Sequence, residues 1–197
     1  MKPTLRSLAL MIVIAIAAAP ALAEGNANFL LGVRQLDEDV WDPLDQQGAF
    51  GVTVDFGGAE WPIHLETGFY GSADEEDVFD NFLLLEGELS ASVAEFFFGV
   101  NKTWETSGKT RPFVGGGLAT VTTDIELDTP IGDADDDDSS LGAYVHGGVF
   151  WRLGKRFNLG LDARILTGTD LTLFDEDIDA DYFQGGLVLG FGWPASK

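Results

Sequence analysis

The chemistry available to this sequence lies in charged side chains set within apolar segments. The chain has two histidines, and His64 stands two residues before Glu66 while His146 lies in a later apolar segment. Buried charges need partners, so we expect these groups to pair. Two roles stay open: a structural network of ion pairs, or a gate in which both histidines titrate near neutral pH. The candidate members are Arg34, Asp55, His64, Glu66, Glu95, Tyr144, His146, Asp162 and Arg164.

A second source of chemistry is the acidic excess, because 33 Asp and Glu oppose 11 Lys and Arg for a net charge of −22. This charge excludes a nucleic-acid binder, which needs a basic surface. Two acidic runs, 133–138 and 175–181, offer oxygen ligands suited to Ca²⁺ or Mg²⁺. The first starts like an EF-hand loop, but Asp138 occupies the glycine position. We therefore expect loose divalent binding or only a solvated, self-repelling surface; the candidate positions are Asp133, Asp135, Asp137, Asp175, Asp177 and Asp179.

The N-terminal segment predicts export. Lys2 and Arg6 precede an apolar run over 8–19, and small residues end the segment at Ala23. This order is typical of a cleaved secretory signal, and the run is shorter than the roughly 20 residues of a membrane-spanning helix. We predict a signal peptide over 1–23 and one domain over 24–197. The absence of cysteine excludes a disulfide scaffold and a thiolate metal site.

The elements that position these groups are strands, because apolar residues recur at every second position. In 49–57, for example, Phe50, Val52, Val54 and Phe56 alternate with smaller or polar residues. The facing of 111–123 stays open. In 83–104 the polar residues change from even-numbered to odd-numbered positions. This change indicates either a β-bulge near Ala94 or a hairpin above the membrane. The eight predicted strands are 27–36, 49–57, 61–71, 83–104, 111–123, 141–152, 157–166 and 182–193.

The connections alternate between long and short, as in outer-membrane barrels. The long ones, 37–47, 72–81, 124–140 and 170–181, hold 24 of the 33 acidic residues and no Lys or Arg. We expect them outside the cell. Four tryptophans fall at the opposite end, where they would form a girdle at the membrane interface: Trp61, Trp104, Trp151 and Trp193.

These features resemble the small OmpA/OmpX-type outer-membrane β-barrels of Gram-negative bacteria. The resemblance rests on the export signal, the eight alternating segments, the Gly-rich segment starting at Arg111 and the aromatic closing strand 182–193. It implies an all-β, eight-stranded antiparallel up-and-down transmembrane barrel. The interior of such a barrel is just wide enough for side chains. Counting from the short-turn end, we expect Arg34, Glu66, His146 and Asp162 in one layer.

Enzymes of this architecture carry motifs that the sequence lacks. The lipid A deacylase type has His-x-Ser on one strand, whereas Glu66 and Gly148 follow the two histidines at that distance. The palmitoyltransferase type pairs a rim histidine with Asp-Ser; Asp138-Ser139 has no histidine in any long connection. We therefore expect no enzyme and no cofactor.

The role that we expect is structural or surface-interactive. A small gated pore is the first alternative, and a lipid-modifying outer-membrane enzyme is the less favoured second one. We expect a monomer in contact with outer-membrane lipid, lipopolysaccharide, divalent cations and an extracellular ligand or surface. The sequence does not name that ligand.

Overall fold

The computed structural model describes residues 24–58, 60–80, 85–130, 132–174 and 176–193. The predicted signal peptide and Asp175 lie outside these residues. Ten strands and one short helix follow in chain order: β1 Glu24–Leu36, α1 Glu38–Trp41, β2 Gln46–Gly57, β3 His64–Asp80, β4 Leu85–Thr103, β5 Thr110–Thr129, β6 Gly132–Arg152, β7 Phe157–Thr167, β8 Leu171–Leu173, β9 Glu176–Ile178 and β10 Tyr182–Trp193. Within the described ranges, no helix is long and apolar enough to cross a membrane.

Eight of the strands close into a barrel. Each of β1 to β7 pairs antiparallel with its neighbour in sequence, β7 pairs with β10, and β10 pairs with β1. The two remaining strands, β8 and β9, form a separate two-stranded sheet in the last long connection. The prediction of an eight-stranded antiparallel up-and-down barrel is confirmed.

Alternation divides every barrel strand between an inner and an outer face. In β7, the even-numbered Asn158, Asp162 and Arg164 are buried, while Leu161 and Ile165 are about half exposed on the outside. The strand whose facing the sequence left open, β5, follows the same rule. Its odd-numbered positions, including Phe113 and Val121, point inward, and Val114 and Leu118 point outward.

Two of the predicted long loops are in fact extensions of the barrel strands. The β3–β4 register runs unbroken from the His64–Asn101 pair to the Asp80–Leu85 pair, so there is no bulge at Ala94 and the hairpin alternative is correct. The β5–β6 pairing likewise continues to Thr129 and Gly132. The acidic composition of these segments favoured a loop, but their alternating inner positions still pack against the core: Leu89 and Ile125 are partly buried there.

The predicted start of the third strand is also wrong. Strand β3 begins at His64, and Trp61 and Ile63 lie exposed in the preceding turn.

We use "turn end" for the end of the barrel that carries the β2–β3, β4–β5 and β6–β7 turns, and "hairpin end" for the opposite end.

An apolar lid covers the hairpin end. Trp41 and Leu44, from the β1–β2 connection, are buried with Leu171, Leu173 and Ala180 from the β7–β10 connection. The Trp41 indole Nε1 donates to the Asp179 carbonyl oxygen at 2.8 Å. The two connections are therefore packed together over the barrel.

The inward glycines make room for the large inner side chains, and this can be tested at Gly51. A Cβ on Gly51 would lie 1.8 Å from Tyr70 Cδ1, whereas a Cβ on Gly48, in the same strand, would have 4.0 Å to its nearest neighbour. Because overpacking costs about 1–3 kcal/mol, we expect Gly51→Ala to lower the free energy of unfolding by about this amount. Gly48→Ala should leave it unchanged or slightly higher. Urea titration in phospholipid vesicles, followed by tryptophan fluorescence, measures both; equal stabilities would contradict the inward placement of Gly51.

Candidate functional site

The inside of the barrel holds a network of charged side chains in three levels. At the level nearest the hairpin end, Glu95 is fully buried on β4 between Arg34 of β1 and Arg164 of β7. Arg34 Nη2 lies 3.3 Å from Glu95 Oε2, and Arg164 Nη2 contacts Glu95 Oε1. The Tyr182 hydroxyl also donates to Glu95. One carboxylate on β4 therefore holds two guanidinium groups and a phenol from three other strands.

Aromatic rings complete the surroundings of both arginines. The Arg164 guanidinium carbon lies 3.6 Å from the centroid of the Tyr144 ring and 4.4 Å from that of Phe97. The Arg34 guanidinium lies 4.0 Å from the Tyr182 ring. Cation–π attraction is strongest where water is excluded, so the rings stabilise the buried cations and also fill the cross-section of the lumen.

The middle level is centred on His146. Its Nδ1 lies 2.8 Å from Asp162 Oδ2, and its Nε2 lies 3.1 Å from Glu66 Oε2. The Tyr144 hydroxyl donates to Glu66 Oε1 at 2.6 Å. A neutral imidazole donates from one nitrogen and accepts at the other, whereas the imidazolium donates from both. The imidazolium is therefore the form of His146 that donates to both carboxylates.

With His146 as the imidazolium, the two levels nearest the hairpin end are electrically balanced. Three cations (Arg34, Arg164 and His146) face three carboxylates (Glu66, Glu95 and Asp162). A cavity of about 20 Å³ beside His146 and Asp162 has room for about one water molecule. The arrangement is suited to closing the lumen.

The third level lies nearest the turn end, around Asp55. Asn26 and Asn28 donate to its carboxylate at 2.9 and 3.2 Å, and His64 Nδ1 lies 3.4 Å from Asp55 Oδ1. His64 thus contacts Asp55 and not Glu66, to which proximity in sequence had pointed.

The expected single layer of Arg34, Glu66, His146 and Asp162 is wrong for Arg34. The last three lie together, but Arg34 contacts Glu95 and Gln184 in the level above. Counting residues from the strand ends ignores the stagger between tilted strands. The sequence analysis also missed Tyr182 as a network member, although it shares the inward parity of Gln184.

The hairpin end presents a second candidate site, an acidic outer face formed by β5 and β6. Antiparallel pairing puts acidic residues directly opposite each other three times in succession: Asp124 with Asp137, Glu126 with Asp135, and Asp128 with Asp133. Like charges in this arrangement repel each other. In the described part of the chain, no group of three or more His, Cys, Asp or Glu side chains has the geometry of a metal site.

The even-numbered aspartates of the same acidic run have a structural role. Thr172 N donates to Asp138 Oδ2 at 2.8 Å, and Phe174 N donates to Asp136 Oδ2 at 2.6 Å. These hydrogen bonds occupy backbone donors of the β8–β9 hairpin. The pKa of Asp138 is held below its usual value, first by the hydrogen bond from the Thr172 N–H and second by one from the Ser139 N–H. Of the other candidate ligands, Asp177 and Asp179 accept local hydrogen bonds from Thr172 and Asp181.

Asp181 anchors the last long connection to the barrel. Its Oδ2 accepts from Thr167 Oγ1 at 2.6 Å and from Gly168 N at 3.0 Å, and its Oδ1 accepts from Thr169. Partial burial alone would raise the pKa of Asp181, but these hydrogen bonds outweigh it and the pKa is lowered.

The four tryptophans expected at one end lie there. Trp61 and Trp104 are about half exposed beside the β2–β3 and β4–β5 turns. Trp151 and Trp193 are partly exposed near the ends of β6 and β10.

Comparison with solved structures identifies the fold. The outer membrane protein OprG of Pseudomonas aeruginosa superposes with a TM-score of 0.61 at 13% identity, covering 89% of this chain and 99% of OprG. Ail, the attachment invasion locus protein of Yersinia pestis, in complex with the heparin analogue sucrose octasulfate, gives 0.55 at 9% identity, with 87% and 98% covered. Neisserial surface protein A gives 0.50 at 11%, with 86% and 95% covered.

No known protein-family model matches the chain, and no curated protein matches it in sequence. At these identities the structural likeness establishes the fold of a small eight-stranded outer-membrane barrel and nothing further about activity.

The central carboxylate is the most sensitive position of the network. Glu95→Gln would leave Arg34 and Arg164 buried without a counter-charge, and breaking a buried pair in this way costs about 3–5 kcal/mol. We expect a loss of this size in the free energy of unfolding. Glu126→Gln removes the same charge from the acidic outer face and should cause no loss. Denaturant titration of both refolded variants tests this; a Glu95→Gln protein as stable as Glu126→Gln would show that the network does not stabilise the barrel.

The Asp181 anchor should respond to acid. Because the folded pKa of Asp181 is lowered, its contribution to stability is present above the unfolded value of 3.8 and is lost below that value, as the pH falls through the folded pKa. The amide NMR signals of Gly168 and Thr169 should shift over this window. In Asp181→Asn the same signals should be insensitive to pH. Signals of the wild-type protein that stay fixed would contradict the anchor.

Proposed function

We propose that the chain spans the outer membrane of a Gram-negative bacterium as a monomeric barrel. The support is an outer face of exposed apolar side chains, which is costly in water and favourable in lipid. The tryptophans at the turn end would form the interfacial girdle. The exposed apolar residues of the barrel strands include Phe29, Leu31, Phe50, Phe96, Phe98, Leu118, Val145, Leu161, Ile165, Phe183, Leu187 and Leu189.

The hairpin end would face outward from the cell. It carries the acidic residues of the four long connections, and Lys and Arg are absent from these segments. Export through a signal peptide over 1–23 is part of the same proposal.

The role is structural and surface-interactive, and the observation that carries it is the series of directly opposed carboxylates on β5 and β6. A repulsive arrangement of this kind is stabilised by cations that share the opposed groups. The chemistry favours Mg²⁺ or Ca²⁺, bound loosely and bridging to anionic lipopolysaccharide phosphates. The Ail complex contains a polyanion, whereas the outer end of this chain would repel one.

A gated pore is the weaker alternative. The side chains of Glu95, Arg34 and Arg164 meet across the middle of the lumen, and the lid lies above them. An enzymatic role is not proposed, because His146 is held between two carboxylates and a nucleophile needs a base that is free to take its proton.

The cation proposal is tested by removing one opposed pair. Glu126→Gln with Asp135→Asn should raise the free energy of unfolding in the absence of metal, by about 0.2–1 kcal/mol, because like-charge repulsion is relieved. The wild-type protein should gain thermal stability in millimolar Ca²⁺ or Mg²⁺, and the double variant should gain less.

The matched control is Glu38→Gln with Asp42→Asn, which removes two carboxylates from the β1–β2 connection. It should keep the full metal-dependent gain. A wild-type midpoint of unfolding that does not change with either metal would end the cation proposal.

A further inference from the structure

The turn end carries a funnel into the barrel that the proposed function does not use. Its volume is about 410 Å³, and it is lined by the turn-end residues of β1, β3, β5, β6, β7 and β10 and by the β4–β5 and β6–β7 turns. Four basic side chains line it: Arg111, Arg152, Lys155 and Arg156. The acidic side chains of the lining are Glu24 and Glu105, so two positive side-chain charges remain uncompensated.

Glu105 orients two of the arginines. Its Oε1 lies 2.6 Å from Arg111 Nη2, and its Oε2 lies 3.1 Å from Arg152 Nη2. The carboxylate thereby fixes the two guanidinium groups in neighbouring positions. It cannot satisfy all of their donors, since each guanidinium has five N–H groups.

Three further donor groups of the funnel have no acceptor among the residues that the structure describes. Arg111 Nε is buried and makes no hydrogen bond. In the described part of the chain, Lys155 and Arg156 form no ion pair with a carboxylate. An excess of donors over acceptors in a concave site is complementary to an anion.

We propose that this funnel binds a phosphate group. The paired N–H groups of a guanidinium can donate to two oxygens of one phosphate, and the lysine ammonium adds a further positive charge. The two uncompensated positive charges match a phosphate monoester dianion. The volume exceeds that of phosphate alone, so the site also has room for the organic part of the molecule. The phosphate comes either from a soluble ester or from the head group of a lipid in the adjacent leaflet.

Calorimetry on the refolded full barrel tests the site, with inorganic phosphate and glycerol 3-phosphate as soluble probes at constant ionic strength. Saturable binding is expected, and Lys155→Ala or Arg156→Ala should weaken it about tenfold, the effect of losing one charged hydrogen bond. The control is Lys109→Ala, which removes a positive charge from the same end but lies outside the lining. It should leave the affinity within about twofold.

A lipid arm distinguishes the two sources. The barrel is reconstituted in phosphatidylcholine vesicles with and without phosphatidic acid, and lipid retained after detergent extraction is measured for the wild type and for Arg156→Ala. Binding of the soluble probes that is lost in Arg156→Ala supports the phosphate site with a soluble ester as its ligand. Selective retention of phosphatidic acid that is lost in the same variant supports the site with a lipid head group as its ligand. No saturable binding in either arm, or an equal loss in Lys109→Ala, overturns it.

Discussion

Glu95 lies inside the barrel between Arg34 and Arg164 and pairs with both guanidinium groups. Buried charges of this kind are tolerated only when each is paired and hydrogen-bonded. The remainder of the interior follows from this requirement. Tyr182 supplies a further hydrogen bond, the aromatic rings of Tyr144 and Phe97 lie against Arg164, and glycines on the neighbouring strands leave the space for these rings.

The two ends of the barrel differ in chemistry, and the charged network around Glu95 and His146 lies between them. At the hairpin end, carboxylates either oppose one another across β5 and β6 or hold backbone N–H groups of the last connection, as Asp136 and Asp138 do. At the turn end, Glu105 holds Arg111 and Arg152 beside Lys155 and Arg156. Such a charge asymmetry is suited to a protein whose two ends meet different solutions.

The fold was predictable because alternation and connection length are local properties of the chain. Leu161 and Arg164 belong to opposite faces by parity alone. Two other features depend on the shape of the closed barrel. Because the tilted strands are staggered, Arg34 contacts Glu95 and not Glu66. The residue spacing within β1 does not predict which carboxylate lies opposite Arg34. The acidic composition of the two hairpins predicts loops, because it outweighs the weaker signal of inward apolar positions such as Leu89 and Ile125.

A lumen closed by charged side chains distinguishes the proposed structural role from a pore, and conductance in a planar lipid bilayer tests it most directly. The wild-type barrel, inserted from detergent at high salt and neutral pH, is predicted to give a flat current record at all applied voltages. Discrete and reproducible current steps from the wild-type protein would contradict a closed lumen and would support the pore.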